Sequence, residues 1–347
     1  MSDDETTLQQ ALFTTGHEES GSSDFDEYIQ DEGAETASSG SSFDELDDSE
    51  FPRYFSERRG RLYHSSTTAP YPLPVDTPEQ QRHTVSHNIL KRLMGGNYLG
   101  PVPAALAAGQ DRKVLDLCTG NGKWVTEMAE EFPHVSFTGI DIVPIATRYP
   151  PDNVRFILAD ANQTLDWPGG TYDFVHARDT LLAIVNYDCF VAEVARVLKP
   201  GGLFLSVEWD RSPHFHPSFD LDPKESAPAS MRFSQLVCDA LLHSRGMQHT
   251  SFTCSSSLAA SPHFTNHETY KLYVPIGGWH LNPMLRRVGL ASKVAQTRLA
   301  RACRELLVDN TPLTPDEVEN AIQDYVDELR STDGLMATVH VACATRV

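Results

Sequence analysis

Three carboxylates and a glycine pair are the residues of this 347-residue chain whose types and spacing speak first of chemistry. Asp116 ends the apolar run that begins at Lys113, and Thr119-Gly120-Asn121-Gly122 follows it directly. Asp141 closes the next apolar run, Val135-Ser-Phe-Thr-Gly-Ile140, and Asp160 closes the one after, Val154-Arg-Phe-Ile-Leu-Ala159. Without side chains, Gly120 and Gly122 let a ligand approach the backbone, and a helix starting behind them aims its free amides at the turn. A carboxylate can accept both hydroxyls of a vicinal diol, which suits Asp141 to a ribose. A carboxylate one strand further on suits Asp160 to an adenine amino group. Asp116, beside the turn, suits an ammonium. Ribose, adenine and ammonium together describe S-adenosyl-L-methionine. A dinucleotide fits less well. Its G-x-G-x-x-G pattern would need a glycine where Val125 stands.

A second group would serve the acceptor of a methyl transfer. His176, Arg178 and Asp179 follow the fourth apolar run, and Glu208 ends the fifth. His176 and Glu208 are the expected bases. Arg178 is the expected holder of an acidic acceptor or of the cofactor carboxylate, and Trp279 the expected wall for an apolar one. Transfer from a sulfonium mainly needs proximity and a dry pocket, with a base only where the acceptor must lose a proton. His214, His216 and His263 have no metal-ligand spacing, so no metal is expected.

The elements that must position these groups alternate. Strands are expected at about 113–117, 135–140, 154–158, 172–176 and 203–208. The helix after Asn186 places Phe190, Val191, Val194, Val197 and Leu198 on one face and stops at Lys199-Pro-Gly-Gly202. This alternation implies an α/β fold, doubly wound, with a mostly parallel sheet and helices on both faces. Ahead of it, four prolines between 70 and 78 keep the chain extended, and a helix runs from Thr77, its expected cap, to about Leu93. Residues 210–280 read as an irregular insert with one helix near 229–243, placed where a lid would sit. Thr314-Pro-Asp-Glu317 reads as a capping box, and 338–345 as a closing strand with Val339, Val341 and Cys343 on one face.

Charge divides the chain. Residues 1–50 hold 16 acids and no Lys or Arg, leaving 32 acids against 28 bases in the rest. The expected domains are therefore a disordered acidic tail over 1–50, a lead-in over 51–110 and the main domain over 111–347. The tail reads as a solubilising extension or, alternatively, as an interaction or phosphorylation segment through which protein partners would act. Six scattered cysteines point to a reducing compartment, cytoplasmic or nuclear. No apolar run long enough for a membrane span and no basic stripe for direct nucleic-acid binding are seen.

Residues 112–208 resemble the class I S-adenosylmethionine-dependent methyltransferases. Asp116-Leu-Cys-Thr-Gly-Asn-Gly122 is similar to that family's D-x-G-x-G-x-G, with Cys118 where it usually has its first glycine. Gly139-Ile-Asp141 matches its ribose motif, Ala159-Asp160-Ala161 its adenine motif and Tyr172–Arg178 its fourth strand. The resemblance implies a seven-stranded Rossmann-like sheet with its last strand antiparallel. It also implies a cofactor site of Asp116, Thr119, Gly120, Gly122, Asp141, Ile142, Asp160, Ala161 and His176. Tyr71-Pro-Leu-Pro-Val-Asp76, with Glu79, Arg82 and His87, resembles fungal methyltransferase-like proteins related to a velvet-partner regulator of secondary metabolism, as does Pro275-Ile-Gly-Gly-Trp279. The function expected is methyl transfer to an undetermined small-molecule acceptor, linked to fungal secondary metabolism. The alternative is a regulator that binds the cofactor and acts through protein partners.

Overall fold

The structure is a computed structural model that describes residues 46–109, 111–247 and 250–347. The expected acidic tail lies outside the described residues as far as 45. Its expected end at 50 falls within a short 3-10 helix, Asp48–Tyr54, capped by Asp47 and Glu50. A small hairpin follows, β1 (Phe55–Arg58) with β2 (Arg61–His64). Helix α1 spans Thr77–Met94. Its cap is Asp76 rather than Thr77. The Asp76 carboxylate accepts from the Glu79 amide and also binds Arg61 at 2.6 Å, so the cap ties helix to hairpin.

The sheet contains β3 (Arg112–Leu117), β4 (Val135–Asp141), β5 (Val154–Leu158), β6 (Tyr172–Arg178), β7 (Leu198–Phe215), β8 (Phe264–Pro275) and β9 (Leu335–Arg346). Their order is β5-β4-β3-β6-β7-β9-β8. The first five pair in parallel, and β9 runs antiparallel to β7 and β8. The helices are α2 (Lys123–Glu131), α3 (Tyr187–Val197), α4 (Pro228–Arg245), α5 (Thr253–Ala260), α6 (Pro283–Ala302), α7 (Arg304–Asn310) and α8 (Pro315–Ser331), besides single turns. Because side chains alternate along a strand, neighbours enter different cores. Val114, Phe174 and Leu205 face α1, α2, α4, α6 and α8. Leu115, Val175 and Phe204 face α3 and α5, where Phe190, Val191 and Val194 meet them. This is the doubly wound, mostly parallel seven-stranded arrangement expected.

The region 210–280 departs from an irregular insert. Strand β7 continues to Phe215, and 264–275 is β8 itself, the edge strand. Most of the first half of β8 is exposed, so it carries no apolar alternation to betray it. Thr314 and Glu317 form the expected capping box at α8.

Candidate functional site

The order reverses at β3, which has β4 on one side and β6 on the other. The carboxyl ends of strands part at such a point and leave a crevice. A cleft of about 1170 Å³, open mouth included, lies there. Asp116, Thr119, Gly120, Asp141, Ile142, Asp160, Ala161, His176 and Arg178 all line it.

Backbone geometry explains the turn. Cys118, Gly120 and Gly122 all have positive φ, at 56°, 58° and 73°. A Cβ on Gly122 would lie 2.4 Å from the Phe156 ring, whereas one on Gly120 would meet nothing within 4 Å. Gly122 therefore closes the turn against β5, and Gly120 leaves open space for a ligand. Cys118 holds a left-handed conformation that costs an L residue roughly 1–2 kcal/mol. The glycine usual at this place in the resembling family would pay no such cost.

Asp116 and His176 are partners across adjacent strands. Asp116 Oδ1 lies 2.6 Å from His176 Nδ1, and Oδ2 accepts from the Thr119 hydroxyl at 2.6 Å. Burial depresses the His176 pKa, and the ring stacks on the Trp124 indole at 3.7 Å between centroids. A neutral imidazole that donates from Nδ1 to a carboxylate presents Nε2 as an acceptor. That atom is buried without a partner. His176 Nε2 thus stands as an open acceptor in the cleft, with Asp116 holding its ring.

Asp141 accepts the Gly120 amide at 2.9 Å through Oδ2 and the Val143 amide at 3.3 Å through Oδ1. Each oxygen keeps a second acceptor position. Burial raises its pKa to about 6. Asp160 Oδ1 accepts from the Asn162 amide and side chain, both at 2.9 Å, while Oδ2 is buried with no partner. An orphaned carboxylate oxygen costs free energy unless a donor arrives, so it fits an adenine amino group. The residues present therefore fit S-adenosylmethionine.

Arg178 pairs with β7 through its backbone, while its side chain lines the cleft and makes no hydrogen bond or ion pair among the described residues. Burial lowers its pKa. Such a guanidinium suits a carboxylate.

Two expected acceptor residues stand elsewhere. Glu208 is 1% exposed and lines neither this cleft nor the chamber beside it. It accepts from the Thr180 amide at 3.1 Å and the Thr180 hydroxyl at 2.5 Å, pinning the loop after β6. Burial raises its pKa to about 8. Trp279 donates to the Ile276 and Leu335 carbonyls at 3.0 and 3.2 Å and packs on Phe219 and His216, away from the cleft.

The roof also differs from expectation. It comes from the lead-in, with Pro70, Tyr71, Glu79, His83, Ser86 and His87 lining the cleft. Thr84 accepts from Asn121 of the glycine turn at 2.9 Å. Arg82 donates to Glu79 at 2.8 Å and stands 3.9 Å from Asp179. Desolvation pushes Glu79 up even so, and burial depresses His87 to about 4. The sequence signals of this roof were the Pro-rich run, the helix start near 77 and the resemblance that Tyr71–Asp76, Glu79, Arg82 and His87 carry. Among the described residues no group of three His, Cys, Asp or Glu is placed to hold a metal ion, and no helix is long and apolar enough to cross a membrane.

Fold and cleft define the class I methyltransferase architecture. Residues 88–260, half of the chain, match the methyltransferase domain family, so the chain carries a methyltransferase domain. It is 33% identical over 181 residues to "Secondary metabolism regulator laeA" of Coprinopsis cinerea, a match covering 50% of this chain and 44% of that protein. It is 24% identical over 265 residues to "Methyltransferase pytC" of Aspergillus terreus, covering 75% and 78%. Against the regulator, the match spans less than half of that protein's length. Among solved structures, a Haemonchus contortus phosphoethanolamine N-methyltransferase 2 in complex with S-adenosyl-L-methionine is 14% identical, with a TM-score of 0.41, covering 76% of this chain and 57% of that one.

Proposed function

We propose that this protein transfers the methyl group of S-adenosyl-L-methionine to a small-molecule acceptor of fungal secondary metabolism. The observation that carries the reading is the unpartnered, buried Asp160 Oδ2 in the same cleft as Asp141 and the orphaned His176 Nε2. Three acceptors in one crevice answer the amino, diol and ammonium groups of one molecule. Arg178 completes the set by meeting the cofactor carboxylate. Held by Asp141, Asp160 and His176, the bound cofactor would supply an activated methyl group, its sulfur keeping the bonding pair as an acceptor lone pair takes the methyl. The roof over 69–90 excludes water from that step. The relatives include both a methyltransferase and a regulator. The enzyme reading is favoured by a second chamber that adjoins the cleft instead of a filled wall.

Calorimetry with S-adenosylhomocysteine tests the cofactor half. Asp141→Ala and Asp160→Ala should each weaken binding at least tenfold, since a hydrogen bond to a charged group contributes roughly 1.5–3 kcal/mol. Unchanged affinity in both variants, with unchanged circular dichroism, would remove these residues from the site and the reading with them.

A further inference from the structure

The second chamber, of about 1120 Å³ with its mouth, lies between α4, α6 and α8 and the end of β7. Tyr71, Ser86, Asp179 and Trp209 line both it and the cofactor cleft. Two helix faces build it. On α4, Ser230, Phe233, Ser234 and Val237 recur at i, i+3, i+4 and i+7. On α6, Ser292, Ala295, Gln296 and Leu299 do the same. Serine and alanine at core-facing positions of packed helices leave space that Leu would fill. Phe233 stacks on Tyr325 of α8 at 4.4 Å between centroids and supplies a flat aromatic wall.

The chamber has few charges, and those it has are engaged. Arg82 is held by Glu79. Asp210 takes the Ser212 amide at 2.9 Å and stands near His214 and His340. Asp179 stands at the wall shared with the cleft. Among the hydroxyls that line it, Ser230 Oγ and Ser292 Oγ, on residues 3% and 1% exposed, have no partner among the described residues. Buried hydroxyls in an apolar wall are held unpaired at a cost that a ligand's hydroxyl or carbonyl relieves.

We propose that this chamber seats the methyl acceptor, a neutral, largely apolar and aromatic-sized molecule carrying a hydroxyl or carbonyl that Ser230 and Ser292 bind. Its reacting end meets the cofactor at the wall formed by Tyr71, Asp179 and Trp209. The inference rests on the methyltransferase reading above.

The probes are 2-naphthol and naphthalene, titrated into the full chain in the presence of S-adenosylhomocysteine. Saturable 2-naphthol binding is expected, weakened at least tenfold by Ala295→Phe while S-adenosylhomocysteine affinity stays within twofold. The double variant Ser230→Ala, Ser292→Ala should weaken 2-naphthol about fivefold and leave naphthalene within twofold. This second variant carries the test if Ala295→Phe does not fold. Absence of saturable 2-naphthol binding, indifference to Ala295→Phe, or equal loss of both probes in the serine variant would overturn the chamber's assignment. Failure of the wild type to bind S-adenosylhomocysteine would instead defeat the cofactor reading and leave the probe titrations to decide the chamber.

Discussion

Single residues here trade comfort for position. Cys118 sits at φ 56° in the turn that faces the cofactor cleft. A β-branched side chain tolerates that conformation worse than a thiol, and glycine tolerates it freely. Cys118→Val should lose about 2 kcal/mol or more in urea denaturation, whereas Cys118→Gly should stay within about 1 kcal/mol of the parent. Glu208 gives a second test. Its carboxyl is raised to about 8 by burial, against 4.5 in the open chain. The folded state then binds the extra proton between these values, so this group's contribution to stability falls as pH rises from about 4.5 to about 8. Glu208→Gln lacks that proton. Its stability relative to the parent should climb across the same window by at least about 1 kcal/mol, since one pKa unit is worth about that much, and level off above pH 8. A constant difference from pH 5 to 8 would show that the carboxyl does not titrate there.

At the scale of elements, α1 is the piece whose role sequence patterning understated. The sequence places it in a lead-in segment too polar to form a domain on its own. Its polar residues are polar because they clamp: Asn121 of the turn donates to Thr84, and Lys91 meets Glu127 of α2 at 2.7 Å. Three groups, Lys91, Lys123 and His87, gather on Glu127 and hold its carboxyl well below the usual range. Arg82 and Glu79 form a buried ion pair, 6% and 2% exposed at their side chains. Removing one member strands the other's charge. Arg82→Met should therefore cost about 3–5 kcal/mol in denaturant titration, and it should also weaken S-adenosylhomocysteine, because the roof would loosen over the cleft. Full stability of that variant would mean the pair is not buried as described.

For the whole molecule, charge is unevenly divided along the chain. The first 45 residues hold 13 acids and no Lys or Arg, and few large apolar groups. Segments of that composition add little to a core. A chain begun at residue 46 should melt within about 2 °C of the full chain and bind S-adenosylhomocysteine within twofold. A chain begun at residue 95 should lose that binding, since it lacks the roof that lines the cleft. A drop of several degrees on the shorter deletion would show that the acidic segment contacts the folded part.

What the sequence determined by itself is local. The apolar runs ending in Asp116, Asp141 and Asp160, the turn glycines and the Asn186 and Thr314 caps all act through neighbours a few residues away. These marked most of the sheet and the starts of α3 and α8. Long-range packing decided the rest. Nothing near Glu208 in the sequence foretold that Thr180, 28 residues earlier, would take both its oxygens. Trp279 likewise went to the Leu335 carbonyl, 56 residues on. The polar edge strand β8 was hidden in an apparent insert because its register with β9, not its own pattern, makes it a strand. The second chamber exists only where α4, α6 and α8 converge, since a cavity belongs to no one segment. Its small residues become legible as a void only after tertiary packing sets the helices face to face.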